Sequence, residues 1–269
     1  MITQRGYVGP AGAQIHYRRC GDDGPFLVLF HESPQASNVF EPALMHLGAS
    51  MRAVALDTPG YGMSDPPEAA LEIPEYAQRL LGAIDALGID QFAVAGQHTG
   101  SSLAIEVARL AGAQRVSHLV LSGLVLLSAA ERAEFLDSWA PDQPLTPDGS
   151  HLCALWERYR GLWEEPAELV NLAVTNIAAI LPRYNWAYNA VFRHDPAPAL
   201  LGLDAKIMLL TASRDMLAHL DERAAALRPD VVRMRLTETT GQLPWRVPEA
   251  YARIVTDFVG KQKPPATHG

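Results

Sequence analysis

Gly96-Gln97-His98-Thr99-Gly100 follows an apolar run at residues 92–95 and precedes Leu103, Ala104, Val107, Ala108 and Ala111, which recur at three and four. The first pattern suits a strand covered on both faces and the second a helix with one buried stripe. The pentapeptide is therefore the turn between a buried strand and a helix. Its glycines have the spacing of a G-x-S-x-G nucleophile elbow, with histidine in the place of serine. Such an elbow holds its central residue at positive φ, and histidine is among the non-glycine residues that tolerate it.

Working outward, further short apolar runs stand at residues 26–30, 53–56, 119–121 and 207–210, and a helical stripe runs through Tyr76, Leu80, Ile84 and Leu87. Strands alternating with helices predict right-handed crossovers in a parallel sheet, with ligands bound beyond the carboxyl ends of the strands. Residues 5–8 and 13–19 flank Gly9-Pro10-Ala11-Gly12 and predict an antiparallel hairpin. Residues 124–203 break the rhythm. No strand-like run occurs there, and helical segments are expected at 131–140, 152–163, 167–180 and 186–192, punctuated by prolines. This stretch reads as a helical insertion, with a core formed by residues 1–123 and 204–269. It holds Trp139, Trp156, Trp163 and Trp186 with Tyr159, Tyr184, Tyr188 and Phe192, rings that either roof a pocket or fix the insertion to the sheet.

The chain has 269 residues, nearly half of them hydrophobic, enough for one large core. Its formal charge of −8 is spread along the sequence without basic clusters, which argues against nucleic acid and membrane surfaces as partners. Cys20 and Cys153 lack metal or redox spacing and are expected to be reduced packing residues. No stretch has the length of a membrane span or signal peptide, so a cytoplasmic location is expected. The tail Gly260-Lys261-Gln262-Lys263-Pro264-Pro265 is expected to fray. No His/Asp/Glu set has metal-ligand spacing, and the glycines fit neither a dinucleotide fingerprint nor a P-loop. Neither metal nor cofactor is expected. The expected partner is a small-molecule substrate or ligand; the oligomeric state is left open, a homodimer included.

Two further motifs carry a family resemblance. Phe30-His31-Glu32-Ser33-Pro34 looks like a His-Gly loop after the third strand, and Asp57-Thr58-Pro59-Gly60-Tyr61-Gly62-Met63-Ser64-Asp65 matches D-x-P-G-x-G-x-S-D. With the elbow they resemble the α/β-hydrolase superfamily, in the capped branch of epoxide hydrolases, haloalkane dehalogenases and carbon–carbon bond hydrolases. The resemblance implies an α/β fold with an eight-stranded, mostly parallel sheet flanked by helices, and a helical cap at 124–203. It also implies an elbow nucleophile, an acid after the seventh strand and a histidine in a late loop. Here these positions fall on His98, Asp215 and Gln242, so only the acid is of the usual type. Serine catalysis is excluded, since no alkoxide can form and Gln242 cannot shuttle a proton.

What survives is a base and an oxyanion hole. A neutral imidazole with an ordinary pKa near about 6.5 suits general-base work. Asp215, Gln242 or Glu32, which stands where the resemblance implies glycine, would orient His98. The resemblance places the backbone donors of the hole at Ser33 and Thr99. Trp139, Trp156, Trp186, Tyr188 and Trp245 are the expected walls of the substrate pocket. The expected function is a cofactor-independent enzyme acting on a small apolar or aromatic carbonyl compound, by isomerase, lyase or cyclase proton abstraction or by water-activated hydrolysis. The alternative is a silent hydrolase-like binding protein in which His98 only fills space. His31 is expected to be structural, His16 and His118 packed or at an edge, and His219 near the pocket edge.

Overall fold

The computed structural model describes residues 2–164 and 166–260. Its strands are β1 (Gln4–Val8), β2 (Ile15–Cys20), β3 (Phe26–Phe30), β4 (Arg52–Leu56), β5 (Phe92–Gln97), β6 (Val116–Ser122), β7 (Lys206–Ala212) and β8 (Val232–Leu236). The helices are α1 (Glu41–Leu47), α2 (Ile73–Ala86), α3 (Thr99–Ala111), α4 (Ala129–Ser138), α5 (Ser150–Trp163), α6 (Ala167–Ala178), α7 (Trp186–Arg193), α8 (Ala197–Leu201), α9 (Ala218–Leu227), α10 (Leu243–Arg246) and α11 (Pro248–Val259). The eight strands form one sheet in the order β1-β2-β4-β3-β5-β6-β7-β8. Only β2 runs against its neighbours, pairing antiparallel with β1 and β4, and the other pairings are parallel. This is the eight-stranded, mostly parallel architecture of the α/β-hydrolase fold.

The apolar runs are continuous because the sheet is covered on both faces, and alternate residues enter different cores. Val28, Phe30, Val54, Leu56, Val94, Leu119 and Leu121 pack with α2 and α3. Leu27, Leu29, Ala53, Ala55, Ala93, Ala95 and Val120 face the opposite way, onto α1 and α11. Between β6 and β7 lie α4 to α8, and no strand of the sheet occurs there among the described residues. Aromatic contacts join these helices: Phe135 of α4 lies 5.3 Å from Phe192 of α7, and Tyr159 meets Trp163 edge-on within α5.

Several expectations change in detail. The strand β8 has no continuous apolar run to predict it, being an exposed edge whose apolar residues, such as Val232 and Met234, alternate with Arg233 and Arg235. A short helix, α8, occupies a proline-rich stretch that was expected to interrupt helices; Pro198 sits in its first turn, where a missing N–H costs nothing. Cys20 is buried, but Cys153 is exposed on α5 and does not pack. The tail from Lys261 onward lies outside the described residues.

Candidate active site

The elbow is built as its glycines require. His98 has φ 49° and ψ −115° and caps α3. A Cβ at Gly96 would run into the backbone of Gly100, and one at Gly100 into Phe30 O. Strand β5 and helix α3 therefore approach closely only with glycine at both places. His98 N donates to Ser122 O at 2.9 Å and Ser101 N to His98 O at 2.8 Å, which anchors both sides of the turn.

The other two motifs shape the surrounding loops. Asp57 accepts from Ser37 N at 2.6 Å and from Met63 N at 2.9 Å, and pairs with His16 Nδ1 at 2.8 Å. Burial alone would raise its carboxyl pKa, but the His16 bond and these donors bring it down to about 2. The D-x-P-G-x-G-x-S-D stretch is thus a folded brace. His31 is structural as expected: it takes Thr58 N–H on Nε2 at 3.0 Å and donates Nδ1–H to Glu32 O at 2.8 Å. Burial lowers its pKa, which keeps it neutral in that tautomer.

His98, Asp215, Glu32 and Gln242 come together at the sheet's carboxyl end. His98 Nε2 lies 2.8 Å from Asp215 Oδ2, and Nδ1 ion-pairs with Glu32 Oε2 at 3.1 Å. Gln242 Nε2 donates to both Glu32 oxygens, at 3.2 and 3.3 Å. Leu217 N donates to Asp215 Oδ1 at 2.7 Å. The imidazole is thus supplied from the elbow instead of the late loop, while Gln242 steadies the second carboxylate. Glu32 and Asp215 side chains are 3% and 7% exposed, and His98 is 18% exposed, so the ring is the group open to a ligand.

Charge follows from this geometry. Burial pulls the His98 pKa down, but Asp215 and then Glu32 override it, leaving it well above the ordinary 6.5. Burial pushes Asp215 up, while the charge and hydrogen bond of His98, with the Leu217 N–H, bring it below 3.8. At neutral pH the ring is an imidazolium between two carboxylates, in place of the neutral base its ordinary pKa suggested. The raised His98 pKa stabilises the fold fully below its unfolded value, and that stability is lost as pH rises through the folded value. The depressed Asp215 pKa stabilises above its unfolded value, with loss as pH falls through the folded one. Both contributions are complete between about pH 4 and 6.5. The melting-temperature gap between wild type and Asp215→Asn is expected to be widest in that window and to narrow on the alkaline side. A gap still growing at about pH 9 would show that the ring is not the charged partner.

Above His98 is a cavity of about 200 Å³ lined by Glu32, Ser33, His98, Thr99, Asp215 and Gln242 on the sheet side. Phe135, Trp139, Tyr159, Trp163, Tyr188 and Phe192 line the cap side. Of the five expected wall residues, Trp139 and Tyr188 lie on the cavity, and Trp156, Trp186 and Trp245 do not. Trp186 is two residues from Tyr188 on α7, close to the opposite side of the helix. Trp156 lies one turn back from Tyr159 along α5, and both it and Trp245 are partly buried against the core. His219 is exposed, bonds to Met216 O at 3.1 Å and is not on the cavity. His16 and His118 are buried.

Three charged residues at this site were not singled out from sequence. Arg214 and Glu164 line the cavity and pair at 3.1 Å. Asp221 lies behind the site, accepting from Thr211 Oγ1 at 2.7 Å and Leu124 N at 3.2 Å. Burial outweighs these donors and pushes its carboxyl up to about 6. The only early signal for Arg214 was its position beside Asp215.

Among the described residues no group of three or more His, Cys, Asp or Glu is placed to hold a metal ion, and no helix is long and apolar enough to cross a membrane. Comparison with known proteins agrees with the geometry. The chain is 32% identical over 85 residues to 2-(acetamidomethylene)succinate hydrolase of Mesorhizobium japonicum, covering 32% of this chain and 31% of that protein. It is 34% identical over 120 residues to 2-hydroxy-6-oxononadienedioate/2-hydroxy-6-oxononatrienedioate hydrolase 1 of Dechloromonas aromatica, covering 43% and 41%. These alignments span less than half the length of either relative. The crystal structure of E-2-(acetamidomethylene)succinate hydrolase matches with a TM-score of 0.79 at 19% identity, over 96% of this chain and 100% of that one, a likeness of fold. The model of the alpha/beta hydrolase fold family matches residues 25–223. With its sheet order, elbow and covered cavity, the chain belongs to the α/β-hydrolase superfamily.

Proposed function

We propose that this chain is a cofactor-independent enzyme that moves a proton on a small apolar or aromatic carbonyl compound, without a serine nucleophile. The observation that carries the reading is His98 at the elbow apex, open to the cavity and clamped between Asp215 at 2.8 Å and Glu32 at 3.1 Å. With a carboxylate at each ring nitrogen the three groups act as one unit, so the proton transfer is assigned to the His98–Glu32 pair and not to the imidazole alone. In its resting form the unit carries one net negative charge. Passing a ring proton to Glu32 leaves a neutral imidazole at the same net charge; the ring then takes the substrate proton, and the unit, now Glu32-H, imidazolium and the Asp215 carboxylate, becomes neutral. The electron pair left on the substrate moves to its carbonyl oxygen, where the Ser33 and Thr99 amides serve as the oxyanion hole. Thr99 opens α3, and the helix dipole favours negative charge at this end.

Returning the proton to another carbon gives isomerisation, and loss of a leaving group gives elimination. The same pair can take a proton from water for hydrolysis, the reaction named for both curated relatives. The core and cap boundaries read from sequence, 1–123 with 204–269 and 124–203, suit this reading by putting the chemistry between the two parts. A second reading has one observation in its favour: both ring nitrogens already face carboxylates, as in a structural ion-pair cross-link. Solvent-deuterium exchange into small aryl-alkyl ketones, followed by NMR, separates the two. The enzyme reading expects exchange α to the carbonyl faster than in buffer; a panel with no exchange and no product leaves the binding protein.

A further inference from the structure

We propose that the cavity over His98 admits uncharged carbonyl compounds and turns carboxylates away, and that the Glu164–Arg214 pair at its mouth sets this selectivity. The inference rests on the cavity being the reaction site. The charged residues lining it are Glu32, His98, Asp215, Glu164 and Arg214, three carboxylates against two cations. His98 is consumed by Asp215 and Glu32, and the Arg214 guanidinium meets both Glu164 oxygens at 3.1 Å. A substrate carboxylate entering the cavity therefore gains no cation and must sit beside Glu32 and Asp215. The α3 amides favour partial negative charge on a carbonyl oxygen, but the remaining walls add no cation: Val125, Leu127 and Val191 are apolar under the roof of Trp139 and Trp163, and Thr240 and Gln242 are neutral. The hydroxyls of Tyr159 and Tyr188 lie 3.5 Å apart and offer hydrogen bonds without charge.

A cation fares no better than an anion. Each carboxylate beneath the roof is already satisfied: Glu32 by His98 and Gln242, Asp215 by His98 and the Leu217 amide. What remains is apolar area, neutral polar groups such as Thr240 and the tyrosine hydroxyls, and a pair of backbone donors, which together suit a neutral carbonyl. Arg214 is the latent exception. Its ion pair is half exposed, with side chains 50% and 57% accessible, so solvent keeps the pair weak and Glu164 controls it by proximity. Without the Glu164 charge, Arg214 is a cation at the cavity mouth with no competitor from the α5 end.

The test uses three probes of similar shape: phenylacetone, phenylacetate and phenethylammonium, titrated against the fluorescence of the cavity tryptophans. Phenylacetone is expected to bind at millimolar concentration, with phenylacetate and phenethylammonium at least about tenfold weaker. In Glu164→Gln the gap between ketone and carboxylate is expected to shrink at least about fivefold. Phenylacetate binding as well as the ketone, phenethylammonium binding best, no binding by the ketone, or an unchanged ratio in Glu164→Gln would each overturn the proposal. Because binding is read without turnover, the expected order with no deuterium exchange would defeat the proton-transfer reading and leave this one standing. Exchange that runs fastest on keto acids would do the reverse.

Discussion

His98→Ala is expected to cut exchange or turnover by at least about 100-fold, the usual size of a general acid–base contribution. It is also expected to lower the melting temperature, because the alanine leaves Glu32 and Asp215 buried without the cation between them. Breaking a buried charge set by removing one partner costs about 3–5 kcal/mol. The loss should be smaller near pH 4, where the orphaned carboxylates can take up protons. This pH dependence separates chemistry from folding: where the variant is folded, its exchange rate should still be lost. A folded His98→Ala protein that exchanges at the wild-type rate would end the proposed mechanism. A large fall in melting temperature, with no reaction ever found in wild type, would leave the ring as a cross-link.

Much of the fold was legible because the buried strands are short and almost wholly apolar, and because α2 and α3 carry clear stripes. Phe26–Phe30 reads as a strand from composition alone, since both of its faces enter cores. Val232–Leu236 does not, because its apolar residues alternate with Arg233 and Arg235 at an exposed edge and form no continuous apolar run. The cap helices were legible as segments, but their rotation was not. A helix stripe says which residues are buried without saying whether a neighbour or a cavity covers them. Trp156, Trp186 and Trp245 were expected on the cavity and are not there, while Tyr159 and Trp163 of α5, which could equally roof a pocket or fix the insertion, line it.

At the site, sequence named the four side chains that meet: His98, Asp215, Glu32 and Gln242. Their protonation could not be read, because it depends on distances of 2.8 and 3.1 Å between residues far apart in the chain. One carboxylate would orient a neutral imidazole; two turn it into a cation. The Glu164–Arg214 pair was hidden for the same reason, since nothing local joins the end of α5 to the loop after β7.

The glycines around His98 divide into those that belong to the fold and those that belong to the site, and the two groups are expected to respond differently to alanine. At Gly100 the added Cβ meets the main-chain oxygen of Phe30 in β3, which cannot move without shifting the sheet. Gly100→Ala is expected to cost at least about 3 kcal/mol, on the order of 10 °C in melting temperature for a chain of this size. At Gly241 the added Cβ would lie 2.5 Å from Asp215 Oδ2, a side-chain atom, with no backbone atom as close. Asp215 can turn aside, so Gly241→Ala should keep the fold and lose only the stability that the Asp215–His98 pair contributes, melting no lower than Asp215→Asn. Turning aside breaks its bond to His98, however, and displacement of a catalytic group by even about 1 Å can cost 100-fold. Gly241→Ala is therefore expected to lose at least about tenfold in exchange rate while staying folded, and Gly100→Ala to lose the fold itself. A stable, inactive Gly100→Ala would mean that the elbow glycines serve the site; a Gly241→Ala protein with full activity would mean that the Asp215–His98 contact does not. The retained elbow spacing thus reports on the sheet–helix junction, and the space beside Asp215 reports on the chemistry.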